Sequence, residues 1–483
     1  MVSTIDVPFE IWHSILRDVY SNISAFPHLD HPRFVLSELH RRSLLHRNLS
    51  LISKHLHTLS STIFLEELHI NQPEALVAVS RLITRDPNVA RVIRKLWFNF
   101  YEYRCGASSP RRPRQMKDLE TEDFPPDSDP VAQAEVRRRN SMYIRHRMVW
   151  SAYLPSMTNQ SRHWRGWIGL TRTILSHCKS VKQVSIDATA DYSQHEAHRN
   201  ARGDYRSLFG SPDLNCDSLI SGLLEASNLH VLRLKNPSPL DPFGTALGQW
   251  SRLREVEIEV SRDFPEARRL SDAIFCPPAS LRRFTLMNRS KKTSLPATSD
   301  LSRCTSLSTL ELGVLDLADT ATLLSAQFLI SNYQHSLRHL KLEIRRGARD
   351  ITGLLKQGAL HFPVLKSLEV CGGTCHASLF TVIQAEVLQH VALHSMDVDG
   401  HGSVRIAADP STSIGSRWTS HTASLETDSE EYWEAFFSQP TLANLESFHI
   451  QVMNPSVVTV MRSVCSARGI DPGDDHAARH LGA

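Results

Sequence analysis

No apolar run in the 483 residues approaches the ~18 needed to cross a bilayer, which excludes a helical membrane protein. Charge of one sign is equally scarce. Lys and Arg number 54 against 51 Asp and Glu, a net charge of +3 that gives no general affinity for nucleic acid or an anionic membrane. Cysteine is sparse and unpatterned: Cys105, Cys178, Cys216, Cys276, Cys304, Cys371, Cys375 and Cys465. The first apolar stretch carries Asp6 and Glu10 and has no basic start, unlike a secretory leader. Together these features predict reduced thiols in a cytoplasmic or nuclear protein.

Catalytic and cofactor motifs are also lacking. There is no G-x-G-x-x-G, no P-loop and no nucleophile elbow. "HEAH" (195–198) sets its histidines three apart, not the four that a zinc-protease helix needs, and it sits in a polar segment. "CGGTCH" (371–376) misses the haem-attachment spacing by one residue. The 25 histidines are spread evenly. The expectation is a non-enzyme with no cofactor and no metal. The basic clusters "RRPR" (111–114) and "RRR" (137–139) have an acidic stretch between them and no interleaved aromatics, and read as solvated loop.

What is present is a phrase, apolar at its first, fourth and sixth positions. It reads "LHVLRL" at 229–234, then "LREVEI" (253–258), "LRRFTL" (281–286), "LSTLEL" (307–312) and "LRHLKL" (337–342). "LKSLEV" (365–370), "LQHVAL" (388–393) and "LESFHI" (445–450) follow, with "IRKLWF" (93–98) and "VKQVSI" (181–186) upstream. From 229 to 388 successive starts lie 24, 28, 26, 30, 28 and 23 residues apart. Fourth and sixth positions share one side of a strand, because side chains alternate with period two. The segments 217–227, 321–333 and 351–362 carry apolar residues at helical spacing, so strands and helices alternate. No such unit buries its apolar face alone; stacking buries a continuous core.

The period and the phrase resemble the irregular leucine-rich-repeat proteins over about residues 90–465, without a dependable Asn ladder after the strands. The fold class expected is α/β: a small helical module, then an irregular repeat solenoid with parallel strands on its concave face and helices on its convex face. Loose insertions are expected at 104–129, 188–213 and 397–430, a long helix from Asp129 to Tyr153, and a disordered tail over 471–483.

The front end has its own pattern. "DVPFEIWHSILRDVY" (6–20) predicts a helix with Asp6 as its cap and Pro8 in its first turn. Ile11, Ile15 and Val19 line one face, with Trp12, Leu16 and Tyr20 beside them. A helix of that length is marginal alone in water, so it needs a partner. In "LSLISKHLHTLSSTIFLEELHI" (49–70), Leu49, Ile52, Leu56 and Leu59 are expected on one helical face. "VPFEIWHSIL" followed by "LSLISKHLHTLSS" resembles an F-box, matching at Pro8, Glu10, Ile11 and Ile15 and again at Leu49, Ile52, Ser53 and Lys54. An insert at 21–48, with a helix of its own at 33–46 expected on the outside, departs from that pattern.

The resemblance implies an F-box-like domain over 1–70 and a leucine-rich-repeat domain over 71–470, as in fungal proteins of this type. It implies the substrate receptor of an SCF-type cullin–RING ubiquitin ligase, docked on the Skp adaptor through Pro8, Glu10, Ile11, Trp12, Ile15, Leu16, Leu49, Ile52, Ser53 and Lys54. The repeats would hold a protein substrate; the alternative is a repeat scaffold with no ligase role.

The second positions of the ten phrases are Arg94, Lys182, His230, Arg254, Arg282, Ser308, Arg338, Lys366, Gln389 and Glu446, of which six are basic where composition predicts ~1. If the strands stack in register, these form a broken positive column. Either long basic side chains keep that edge soluble, or the column recognises an acidic partner. The fifth positions, Arg233, Glu257, Glu311, Lys341 and Glu369 among them, are expected on the open strand face. With Arg254, Arg282, Arg338 and Lys366 they make up the candidate substrate surface.

Overall fold

A computed structural model describes residues 9–22, 32–70, 73–99, 159–187, 216–235, 246–260, 278–288, 306–315, 320–344, 360–371, 383–394, 430–450 and 455–472. The chain divides into two compact units, residues 1–242 and 243–483.

The first unit begins with three helices, α1 (Phe9–Asn22), α2 (Pro32–Ile52) and α3 (Lys54–Glu66). Parallel strands β1 (Glu67–Ile70), β2 (Lys95–Asn99), β3 (Gln183–Asp187) and β4 (Val231–Lys235) then pair in chain order. Between them run α4 (Pro73–Arg85), α5 (Pro87–Val92), α6 (Asn159–His177) and α7 (Cys216–Glu225). Gly222 lets α7 press onto α6, since a Cβ there would stand 3.1 Å from the Arg172 Cα.

The second unit holds seven more parallel strands. They are β5 (Glu255–Val260), β6 (Arg283–Asn288), β7 (Thr309–Leu315), β8 (His339–Ile344), β10 (Ser367–Cys371), β12 (His390–His394) and β13 (Ser447–Ile450), paired in that order. The two-residue strands β9 (Leu360–His361) and β11 (Ile383–Gln384) pair separately, also in parallel. The α-helices described in this unit are α8 (Thr320–Tyr333), α9 (Glu430–Phe437) and α10 (Pro455–Ala467). Trp433, Phe436 and Phe437 of α9 clasp Phe448 of β13, with ring centroids 5.1–5.9 Å apart.

All ten phrases form strands, each starting one residue after the phrase's second position. First and fourth positions are buried throughout, as are the sixth positions from Phe98 to Leu393. Among the described residues the architecture is therefore α/β with eleven parallel strands besides the short β9 and β11, four in the first unit and seven in the second. An eleventh phrase, "LEELHI" (65–70), forms β1 and was hidden because Leu65 still belongs to α3.

A side-chain ladder does form, but ahead of the strands. Ser280, Ser306 and Ser336, each just before a phrase, donate through Oγ to the carbonyls of Leu253, Leu281 and Leu307 at 2.7–3.0 Å. Asn228 and Asn444 stand at the same place and reach Lys179 O (3.0 Å) and Glu386 O (2.7 Å). These bonds satisfy carbonyls at the turns, where strand pairing has not begun.

Three expectations are corrected. The second front helix does not begin near 49: α2 runs to Ile52 and breaks at Ser53, whose extended backbone and Oγ, 3.1 Å from the Leu56 N, cap α3. Leu49 and Ile52 therefore sit on a different helix from Leu56 and Leu59. The insert is not wholly outside, because Arg42 is buried and Leu45 packs on the core. The helix expected over 351–362 ends as strand instead: Leu360–His361 pairs with β11, and Phe362 N donates to Gln384 O at 2.8 Å. The remainder of that segment, the helix expected over 129–153 and the three insertions up to Ser429 lie outside the described residues. Near the C-terminus, Gly469 takes φ +71° and closes α10 with an Ile470 N to Cys465 O bond of 2.8 Å. Asp471, expected to open the disordered tail, instead joins the strand row through Glu446 O at 2.8 Å and Phe448 N at 2.9 Å, and residues 473–483 of that tail lie outside the described residues.

Candidate protein-docking surfaces

Helix α1 carries two apolar stripes about 100° apart, the turn per residue of an α-helix. Leu16 and Tyr20 are buried against Leu56, Leu59 and Ile63 of α3, with Trp12, Leu45, Leu49 and Phe64 packed around them. The other stripe faces outward: Ile11, Ile15 and Val19 are 50%, 45% and 37% exposed. Leu51 and Ile52, at the break between α2 and α3, are 78% and 66% exposed.

The predicted docking set thus divides. Glu10, Ile11, Ile15, Ile52 and Lys54 are exposed; Leu16 is buried, Trp12 and Leu49 line the core, and Ser53 caps a helix. Pro8 lies outside the described residues. Leu51 was missed, although Leu49, Leu51 and Ile52 cannot all point to one side of a helix.

Polar contacts tie these helices to one another and to the first strand. Arg17 Nη2 donates to both Glu66 oxygens at 2.7 and 2.9 Å. Arg42 donates to Glu67 Oε2 at 2.7 Å, and Lys95 of β2 pairs with the other oxygen of that carboxylate. The buried Arg42 guanidinium also lies over the Tyr20 and Phe64 rings, 5.3 and 5.7 Å from their centroids. Burial pulls the Glu67 pKa upward, but the hydrogen bonds and charges of Lys95 and Arg42 win and hold it below the ordinary carboxylate range. Burial pushes the Tyr20 hydroxyl up to about 12.

The second surface is the edge of the strand row. In the second unit, Arg282 N donates to Arg254 O, Ser308 N to Arg282 O, Arg338 N to Ser308 O and Lys366 N to Arg338 O, each at 2.8 Å. The row ends through Gln389 at Glu446, whose Oε1 accepts from Gln389 Nε2 at 2.6 Å. Arg254, Arg282, Arg338 and Lys366 are all exposed. In the first unit the same positions read Glu66, Arg94, Lys182 and His230, joined in the same way at 2.8 Å.

The fifth positions were expected to be open, and here the structure differs. Arg233, Glu257, Glu311, Lys341 and Glu369 are only half-exposed, and Thr285 and Ser185 at the same position are buried. Two neutralising pairs form across neighbouring strands: Arg283 with Glu311 and Lys341 with Glu369, both at 2.6 Å. Burial would lower the Lys341 pKa, but the hydrogen bond and charge of Glu369 raise it. No carboxylate pairs with Arg254, Arg282, Arg338 or Lys366 among the described residues. His339, one position further on, has its pKa lowered by burial and then by the positive His390, Arg338, Lys366 and Arg283.

No metal-binding cluster and no helix long and apolar enough to cross a membrane is found among the described residues. Cys178, Cys371 and Cys465 are free thiols that burial pushes up to about 12, which leaves them protonated at neutral pH. No protein-family model and no curated protein matches the chain.

Proposed function

We propose that this protein is the substrate-recognition subunit of an SCF-type cullin–RING ubiquitin ligase. In this reading α1–α3 are an F-box-like module that docks on the Skp adaptor. The strands and helices behind them are an irregular leucine-rich-repeat solenoid that holds a protein substrate. The chain performs no covalent chemistry; it raises the effective concentration of substrate lysines near a bound ubiquitin-conjugating enzyme.

One observation carries the reading. The outer stripe of α1 (Ile11, Ile15, Val19), together with Leu51 and Ile52, leaves large apolar side chains in water on a module whose inner face is already filled. Several such groups on one small module mark a contact surface. Their burial against a partner would contribute about 1.5–3 kcal/mol per fully covered side chain.

Affinity capture of the Skp adaptor on the full chain tests this. The parent is expected to retain the adaptor, and Ile11→Asp with Ile15→Asp to lose it while the thermal midpoint stays put, since both side chains are exposed. Capture undiminished by that pair sinks the docking assignment. A parent chain that binds a protein ligand but never the adaptor would be the plain repeat scaffold.

A further inference from the structure

We propose that the exposed edge row Arg254–Arg282–Ser308–Arg338–Lys366 of the second unit binds an extended segment of a partner protein rich in Asp and Glu. The proposal names the substrate class of the receptor reading above and rests on that reading only for calling the ligand a substrate.

The geometry is fixed by the main chain. Five consecutive strand starts are bonded carbonyl to amide at 2.8 Å, so their side chains leave the row at the strand spacing of about 4.8 Å. Ser280, Ser306 and Ser336 pin the turns immediately before Arg282, Ser308 and Arg338. Four cations therefore occupy about 19 Å, the length of roughly six extended residues. Arg254 stands beside Arg282, and Arg338 beside Lys366, on adjoining strands. Like charges placed opposite each other on neighbouring strands destabilise a sheet. The chain tolerates two such pairs here while it neutralises charges further along the strands, at third and fifth positions, through Arg283–Glu311 and Lys341–Glu369. The potential of the row is thus left uncancelled at its outer edge; the His339 pKa, lowered first by burial, is lowered further by the positive His390, Arg338, Lys366 and Arg283 around it.

Neighbouring residues choose the ligand. Glu255, next to Arg254 on the first strand of the row, and Glu446 beyond its far end set negative charge at both ends, so a long uniform polyanion meets repulsion there. No aromatic side chain stands among the second positions of these strands, so bases of a single-stranded nucleic acid find nothing to stack on. A short run of carboxylates centred on Arg282 to Lys366 fits. The length of the cationic side chains absorbs the mismatch between the strand spacing and the ~6.7 Å repeat of same-side residues in an extended peptide.

The test is fluorescence anisotropy with the full chain and a labelled peptide of about twelve residues alternating Glu and Ser, without the adaptor. Affinity is expected to fall about tenfold or more between roughly 50 and 300 mM salt. Arg282→Glu with Arg338→Glu should weaken binding ~30-fold or more, and the size-conserving Arg282→Gln with Arg338→Gln about fivefold, with unchanged thermal midpoints. Arg81→Glu with Arg85→Glu, which changes net charge equally but lies on α4, should leave affinity within about threefold. An equal loss in that control would assign binding to net charge and overturn the row. Peptide affinity indifferent to the row variants, or no binding at low salt, would also overturn it. Tighter, row-dependent binding of single-stranded RNA of the same charge would transfer the site to nucleic acid. Because the adaptor is absent, none of these results depends on whether the ligase reading holds.

Discussion

The strand rows and the front helices treat the same kind of side chain in opposite ways. Along the strands, leucine, isoleucine, valine and phenylalanine at the first and fourth positions are buried in every phrase. On α1 and at the end of α2, five comparable side chains remain 37–78% exposed. Period alone does not separate the two cases, since both are regular. The difference lies in neighbours. Each strand has another of its kind on at least one side, bonded through the backbone, and each added strand covers the last. Among the described residues helix α1 leans on α3 and α2, and these cover one of its two stripes.

Truncation at the centre of the strand field should give the largest stability loss. Leu310 of β7 is fully buried, in register with Phe284 on one side and Leu340 on the other. Leu310→Ala is expected to cost about 2–5 kcal/mol in chemical unfolding, because β-sheet neighbours held by backbone bonds cannot collapse into the space left. A loss under about 1 kcal/mol would mean that the rows are loosely filled, and the contrast with the helices would weaken.

The next effect tests the joint at which the helices meet β1. Glu67→Gln removes the charge that Arg42 and Lys95 share and leaves the buried guanidinium with the Ile63 and Phe64 carbonyls at 3.3 and 3.4 Å. The expected cost is about 3 kcal/mol. The wild-type carboxyl has its pKa depressed in the folded state, so its contribution is complete at neutral pH. That contribution erodes as pH falls below the ordinary glutamate value of about 4.3 toward the lower folded-state value. Glu67→Gln should therefore flatten the acid side of the stability profile; a profile with unchanged slope there would deny the pair its role.

The strands were legible because three apolar positions recur in a fixed order and each recurrence obeys the same burial rule. Glu67–Ile70 escaped notice because its first leucine doubles as the last turn of α3. The serine and asparagine ladder is illegible for another reason: an Asn ladder is expected after the strands, whereas Ser280, Ser306, Ser336, Asn228 and Asn444 all precede the first leucine. The helix break at Ser53 is a competition between continued helix and a local cap. The serine hydroxyl wins by satisfying the Leu56 amide, which apolar spacing cannot reveal. At the candidate surfaces, the row of second positions could be read because it follows from register. The self-neutralised fifth positions could not, because pairing of Arg283 with Glu311 depends on which strand stands next to which. Which stripe of α1 would turn inward was likewise undecidable without α3 in place.

The smallest effect is the sharpest test of that contrast. Leu51 is 78% exposed, so Leu51→Ala removes almost no buried surface and exchanges one good helix former for another. Stability should stay within about 0.5 kcal/mol of the parent. The same truncation at Leu310 deletes contacts on both sides at once. If Leu51→Ala instead destabilised the chain by 2 kcal/mol or more, a value typical of buried leucines, some part of the protein would have to cover it in solution. A neutral result leaves Leu51 and its neighbours as apolar groups that contribute nothing to the fold that displays them, which is what a surface completed by a partner requires.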